Sequence, residues 1–192
     1  MVVVDLDGTY VSCNTLHLYL RTALRYHIRK GHIGSAARIV FHYLRRGARL
    51  CGHTAFKTAA LAAAGRDDSL LKEFRNKAER LVNNRLKESL AAETEPVVMA
   101  TAAPAFYACL IWPGRLLASQ WLADGTFDEL RGQNKLRAVQ TILGQGETIS
   151  RVYTDHYDDL PLMRAAKVVV LVGPSKKTLH TLAEAGVGFH TF

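Results

Sequence analysis

Asp5 and Asp7 stand one residue apart at the end of an apolar run, Val2-Val3-Val4, and Gly8 and Thr9 follow at once. Side chains alternate across an extended strand, so both carboxylates leave its end on the same side while Leu6 points away. Two such charges about 4 Å apart repel by roughly 4 kcal/mol at an effective dielectric near 20. The pair therefore needs a proton, a cation or a chemical task. Gly8 permits a sharp turn, or the approach of backbone N–H groups to an anion. Carboxylates placed in this way can serve as nucleophile, as general acid or base, or as ligands of a hard cation.

The same logic recurs far along the chain. Val152-Tyr153-Thr154 is an apolar run that ends on Asp155, with Asp158 and Asp159 close behind. In open parallel sheets the site lies at the carboxyl ends of the strands. If the strands bearing Asp5 and Asp155 are neighbours, three or four carboxylates converge, and oxygen ligands with open positions suit Mg²⁺. A strand-end Asp also caps helices, which would account for Asp158 or Asp159 taken alone. Thr101 follows the run Val97–Ala100 and would bring a hydroxyl to the same edge. Lys135 sits near the start of a helix in Gly132-Gln133-Asn134-Lys135. Alone, the Thr reads as a cap and the Lys as a solvated charge; their order on the chain gives them weight.

The elements that must position these groups are legible in the periodicity. After the first strand the apolar spacing changes from two to nearly four. Helices are predicted over about Asn14 to Lys30, from Ala36 to before Gly47, from about Thr54 to Ala64, and from Asp67 through Leu86 on one continuous face. Residues 13–90 thus form an all-helical block. Beyond it, strands at Val97–Ala100, Leu116–Trp121, Ile149–Thr154 and Val168–Val172 alternate with helices at Asn134–Leu143, Leu160–Ala165 and Ser175–Ala185. Pro104 suits the first turn of a helix, and Val187–Phe192 reads as a last strand. This alternation predicts an α/β fold, a doubly wound, Rossmann-like parallel sheet. Its core comprises residues 1–12 and 91–192, with the helical block inserted after the first strand.

Taken in order, Asp5-Leu6-Asp7-Gly8-Thr9, Val98-Met99-Ala100-Thr101-Ala102, Lys135, and Thr154-Asp155 with Asp159 four residues on resemble the four-motif series of the haloacid-dehalogenase-like (HAD) hydrolases. The helical block resembles the cap of the phosphoserine-phosphatase-like branch, as do the strings GQNKLRAV and YTDHYDDLPLM. The resemblance implies a Mg²⁺-dependent phosphatase that hydrolyses a phosphate monoester. Asp5 would be the nucleophile that forms an aspartyl-phosphate, and Asp7 the acid and base. Asp5, the carbonyl of Asp7 and Asp155 would bind Mg²⁺, with Asp159 holding a bound water or orienting Asp155. Gly8 N–H and Thr101 would hold phosphoryl oxygens, and Lys135 would neutralise the phosphate and restrain Asp5. Family dehalogenases generally lack the second carboxylate, so Asp7 favours phosphoryl transfer. Tyr10 and His156 stand where smaller residues are common in this branch. Phosphotransfer on the same scaffold, and a non-catalytic binding module, are the alternatives; the intact motif residues argue against the second.

Charge bears on the partner. The formal net charge is +8 and it is uneven: Val11 to Leu90 holds sixteen Lys/Arg against five Asp/Glu, and Ala91 onward nine against ten. An excess confined to the helical block suggests an anionic substrate, a small phosphorylated metabolite or a lipid phosphate. Basic helices with apolar faces also lie on anionic membranes, although packing within the block is the favoured reading of those faces. The block lacks the interleaved aromatics of a base-stacking surface, so no nucleic-acid partner is expected. Three cysteines in no metal-like spacing read as reduced thiols. With no spanning segment or leader pattern, a cytoplasmic location is expected. Oligomeric state is left open by the sequence.

Overall fold

The strand Val2–Val4 (β1), wholly buried, lies at the centre of a seven-stranded sheet in a computed structural model that describes all residues 1–192. Three consecutive valines suit a central strand shielded on both faces, where no alternation with polar residues is needed. The other strands are Val97–Pro104 (β2), Arg115–Trp121 (β3), Phe127–Asp128 (β4), Ile149–Thr154 (β5), Ala166–Leu171 (β6) and His190–Thr191 (β7). They are ordered β4-β3-β2-β1-β5-β6-β7, and every pairing is parallel except that of β3 with β4. The chain is thus an α/β protein with a Rossmann-like sheet, as expected.

Nine α-helices accompany the sheet: Thr15–Arg29 (α1), Ile33–Gly47 (α2), His53–Ala64 (α3), Asp68–Glu79 (α4), Asn84–Ala91 (α5), Ala105–Ala108 (α6), Gln133–Thr141 (α7), Leu160–Ala165 (α8) and Lys176–Glu184 (α9). The chain separates into two compact units. One comprises Met1–Cys13 and Leu81–Phe192, the other Asn14–Arg80.

In the sheet unit, Val3, Val98, Val152 and Val169 face one way and form a continuous core with Leu136 and Val139 of α7, Leu162 and Met163 of α8, and Leu182 of α9. The register fixes the site. Val4 lies beside Met99 on one side and Tyr153 on the other. The Asp5 N–H donates to the Tyr153 carbonyl at 2.9 Å. Asp5 and Asp155 therefore leave adjacent strands at the same edge, and Thr101, expected to follow a strand ending at Ala100, lies within β2, which runs on to Pro104.

The helical unit is tied internally by polar contacts as well as apolar ones. The Tyr19 hydroxyl, wholly buried beside Phe74, donates to the Gly65 carbonyl at 2.5 Å. Tyr26 donates to Asp67 at 2.7 Å, and the same Asp67 oxygen caps α4 by accepting from Ser69 and Leu70. The Asn14 side chain caps α1 by accepting from the His17 N–H.

The structure departs from the sequence reading in several places. The helix expected from Asp67 through Leu86 is two helices, because Asn83 starts a new one by accepting from the Leu86 N–H at 3.1 Å. Just before it, Ser12 N–H donates to Leu81 and Asn83 N–H to Tyr10, which joins Leu81–Asn83 to the sheet unit. The compact helical unit is accordingly shorter than 13–90, and α5 lies in the sheet unit. Pro104 ends β2 and stands before α6 with ψ 136°, rather than in its first turn. The last strand is only His190–Thr191. The strand β4 went unpredicted, although Asp124-Gly125 between Trp121 and Phe127 is a hairpin signal. Gly125 there has φ +82°, and the Trp121 and Phe127 rings pack at 4.6 Å.

Candidate active site

β1 hands its charge directly to a tight turn. The Tyr10 N–H returns to the Asp5 carbonyl at 3.3 Å and the Val11 N–H to Leu6 at 2.9 Å. Gly8 makes the turn possible: its φ is +76°, and a Cβ there would lie 2.2 Å from Asp155 Oδ2. No side chain can occupy that position while Asp155 stays where it is. Thr9 Oγ1 reaches Asp155 Oδ1 at 3.5 Å, so the turn after β1 positions the carboxylate that follows β5.

Lys135, on the first turn of α7, is buried and bridges two carboxylates. Its Nζ lies 2.9 Å from Asp5 Oδ1 and 2.7 Å from Asp159 Oδ1. Thr154 Oγ1 donates to the other oxygen of Asp159 at 2.8 Å. Asp159 is thus engaged through both oxygens, one by Lys135 and the other by Thr154. Asp5, Asp159 and Thr154 are all buried. A buried ammonium survives only with such partners. Burial works against its charge, but Asp159 and Asp5 outweigh burial and hold the Lys135 pKa above its usual value.

The carboxylates outnumber their cation. Burial pushes Asp5 up, and repulsion from Asp159 and Asp7 adds to this against the pull of Lys135. Burial likewise raises Asp155 to about 6, with small contributions from Asp159 and Asp7, against the opposing effect of His156. Asp7 is half-buried and near enough to raise both neighbours. This surplus of negative oxygen fits a hard cation. No three His, Cys, Asp or Glu side chains gather closely enough to hold a metal ion, so the expected convergence of three or four carboxylates on one cation is not seen. Mg²⁺ needs only one or two carboxylates beside water and substrate oxygens, which Asp5 and Asp155 can provide.

Thr101 is wholly buried, and its Oγ1 accepts from the Ala103 N–H at 3.0 Å. A hydroxyl that accepts still has a proton to donate. The Gly8 N–H is directed to the Cys13 carbonyl at 3.2 Å, so a phosphoryl oxygen would have to compete with that bond. Two supporting residues escaped the sequence reading. Thr154 fixes Asp159. Ser119 of β3 is buried; it donates to the Ala102 carbonyl at 2.7 Å and accepts from the Leu130 N–H at 2.9 Å. It thereby holds the irregular end of β2 beside Thr101. A strand-end Thr beside an acidic run could have flagged Thr154; a Ser within a strand carries no such signal.

Comparison with known proteins gives a consistent picture. The family model described as haloacid dehalogenase-like hydrolase matches residues 2–164. None of the curated proteins matches the chain. Among solved structures, a protein of unknown function from Bordetella pertussis Tohama I is similar at 19% identity, over 99% of this chain and 97% of its own, with a TM-score of 0.69. A phosphoserine phosphohydrolase-like protein from Francisella tularensis is similar at 18% identity, over 100% and 94%, with a TM-score of 0.59. A probable phosphoserine phosphatase from Vibrio cholerae is similar at 15% identity over 100% of this chain and 59% of its own, with a TM-score of 0.65. At these identities the likeness is one of fold.

Proposed function

The chain belongs to the haloacid dehalogenase-like hydrolase family, and from that premise we propose that it is a Mg²⁺-dependent phosphatase acting on a small phosphorylated metabolite in the cytoplasm. The observation that carries this reading is Asp5 at the end of the central strand, with one oxygen held 2.9 Å from Lys135, Asp7 close by, and Asp155 following the adjacent strand β5. The phosphatase names of two structural neighbours support it.

Lys135 fixes Asp5 through Oδ1, which leaves Oδ2 to attack phosphorus. A positioned carboxylate overcomes its weak nucleophilicity through orientation and desolvation. As the Asp5–phosphorus bond forms, the bond to the ester oxygen breaks, and the leaving oxygen takes a proton from Asp7. Asp7 then accepts a proton from water as that water attacks the aspartyl-phosphate, releasing inorganic phosphate and restoring Asp5. To serve as the acid, Asp7 must carry a proton at the outset. The Thr101 hydroxyl and the Lys135 ammonium would donate to phosphoryl oxygens. Asp159 keeps Lys135 in place. Asp5, Asp155 and the Asp7 carbonyl would hold Mg²⁺, which supplies positive charge against the phosphoryl oxygens.

The test is phosphate release from p-nitrophenyl phosphate and a panel of phosphorylated metabolites, with MgCl₂ or with EDTA. Turnover should require the metal and vanish in Asp5→Asn. Turnover that survives either change would overturn the reading.

A further inference from the structure

α2 is apolar on two faces. Ala36, Ile39 and Tyr43 turn inward, where the Tyr43 ring meets Phe56 at 5.2 Å and its hydroxyl pairs with His17 at 3.0 Å. On a second face, Ile33, Ala37, Val40, Phe41 and Leu44 recur at helical steps, and all are exposed. Phe41 is 54% exposed and Leu44 67%; Ile28 before the helix and Leu50 after it are exposed as well. Of the chain's large exposed hydrophobic residues, only Leu122 lies outside residues 28–50. Scattered apolar residues are ordinary on a protein surface, but a stripe gathered on one helix marks a contact.

Charge decides what the contact is. From Gly8 to Arg66 there is no Asp or Glu, against ten Lys and Arg. At 100° per residue, Arg38 and Arg45 flank the stripe on its solvent side. The Arg45 guanidinium stands 5.6 Å from the centre of the Phe41 ring. Arg46 and Arg49 add charge at the far end. Elsewhere in the helical unit, Glu73 of α4 is already paired with Arg29 and Lys77. A second copy of the chain would set cation against cation. A nucleic acid would want stacking aromatics, whereas this stripe is mostly aliphatic. An anionic bilayer answers both halves of the surface, lipid phosphates for the arginines and the acyl boundary for the stripe.

We propose that α2 is an interfacial helix that lies flat on an anionic membrane, with Phe41 and Leu44 in the headgroup–acyl boundary and Arg38 and Arg45 on lipid phosphates. The helix does not cross: none in the protein is long and apolar enough to do so. Every residue of this surface belongs to the helical unit, so the inference stands apart from the chemistry assigned to the sheet unit.

Flotation of the full chain with phosphatidylcholine vesicles, with and without 30% phosphatidylglycerol, tests it. The protein should float with the anionic vesicles and bind at least tenfold more weakly to phosphatidylcholine alone. Phe41→Ser with Leu44→Ser, at exposed positions, should cut the partition at least tenfold with an unchanged far-UV CD spectrum and melting temperature. Arg38→Gln and Arg45→Gln should each cut it about fivefold. Four results would overturn the proposal. The protein stays unbound on anionic vesicles. The double Ser variant floats as well as wild type. The lipid-free protein is a dimer that the Ser pair converts to monomer without any vesicle binding. The protein retains single-stranded RNA in place of vesicles.

Discussion

Gly8 and Asp155, 147 residues apart in sequence, are packed so closely that a methyl group on Gly8 would come within 2.2 Å of the Asp155 carboxylate. With φ at +76°, Gly8 is also in the left-handed region that costs other residues about 1–2 kcal/mol. Gly8→Ala should therefore push Asp155 away without dismantling the sheet. The expected result is at least a tenfold loss of Mg²⁺ affinity and phosphate release with the far-UV CD spectrum retained. Wild-type activity in this variant would separate Asp155 from the site.

Lys135 is the buried cation between Asp5 and Asp159. Lys135→Met removes the charge and leaves two buried carboxylates facing each other, a change that costs about 3–5 kcal/mol when one partner of a buried pair is lost. Urea unfolding should show a loss of this order, and MgCl₂ should restore part of it. Lys135→Arg should not recover activity, because a planar fork cannot take the place of a compact ammonium between two oxygens.

Raised carboxyl pKa values make stability fall as pH rises. In the unfolded chain Asp155 loses its proton near its usual 3.8, whereas in the fold it does so at about 6. Between those values the native state binds more protons, so stability present below about pH 4 drains away up to about pH 6. Asp5 is shifted in the same direction. Thermal melts without divalent metal should show this fall. Mg²⁺ must displace those protons, so its affinity, followed by calorimetry, should climb over the same range.

Ser119→Ala leaves the Ala102 carbonyl and the Leu130 N–H without their shared partner. An unsatisfied buried group costs about 1–3 kcal/mol, so the midpoint of urea unfolding should drop accordingly. Because Ala102 adjoins Thr101, KM should also rise. A shift in stability with unchanged KM would make Ser119 a purely structural tie.

The strands and most helices were legible because their patterns are local. Val2–Val4 reads as a buried strand on its own residues, and Ile149–Thr154 coincides with its predicted bounds. The junction around Asn83 was not legible, because apolar spacing continues through Leu86. What breaks the helix is backbone pairing of Leu81–Asn83 with Ser12 and Tyr10, some seventy residues earlier. The meeting of Asp5 with Lys135 was implied by the resemblance to the family's motif series, not by spacing alone. The engagement of Asp159 by Thr154 and Lys135 was not, since it depends on side-chain directions at a turn. The exposed stripe of α2 shows the same limit from the other side: its apolar residues are plain in the sequence, but only packing reveals that half of them face water.

The position of β1 has a consequence for how the chain is made. Val2–Val4 is made before both of its neighbours, β2 and β5, and β5 ends only at Thr154. At about 5–20 residues per second, the central strand waits on the order of ten seconds for its second partner. Asn14–Arg80 is continuous and can collapse in the meantime. Throughout that wait a short run of valines is exposed to other nascent chains, and the charges that follow it act as gatekeepers against edge-to-edge aggregation. Asp5 and Asp7 thus guard the growing polypeptide before there is a sheet to receive them.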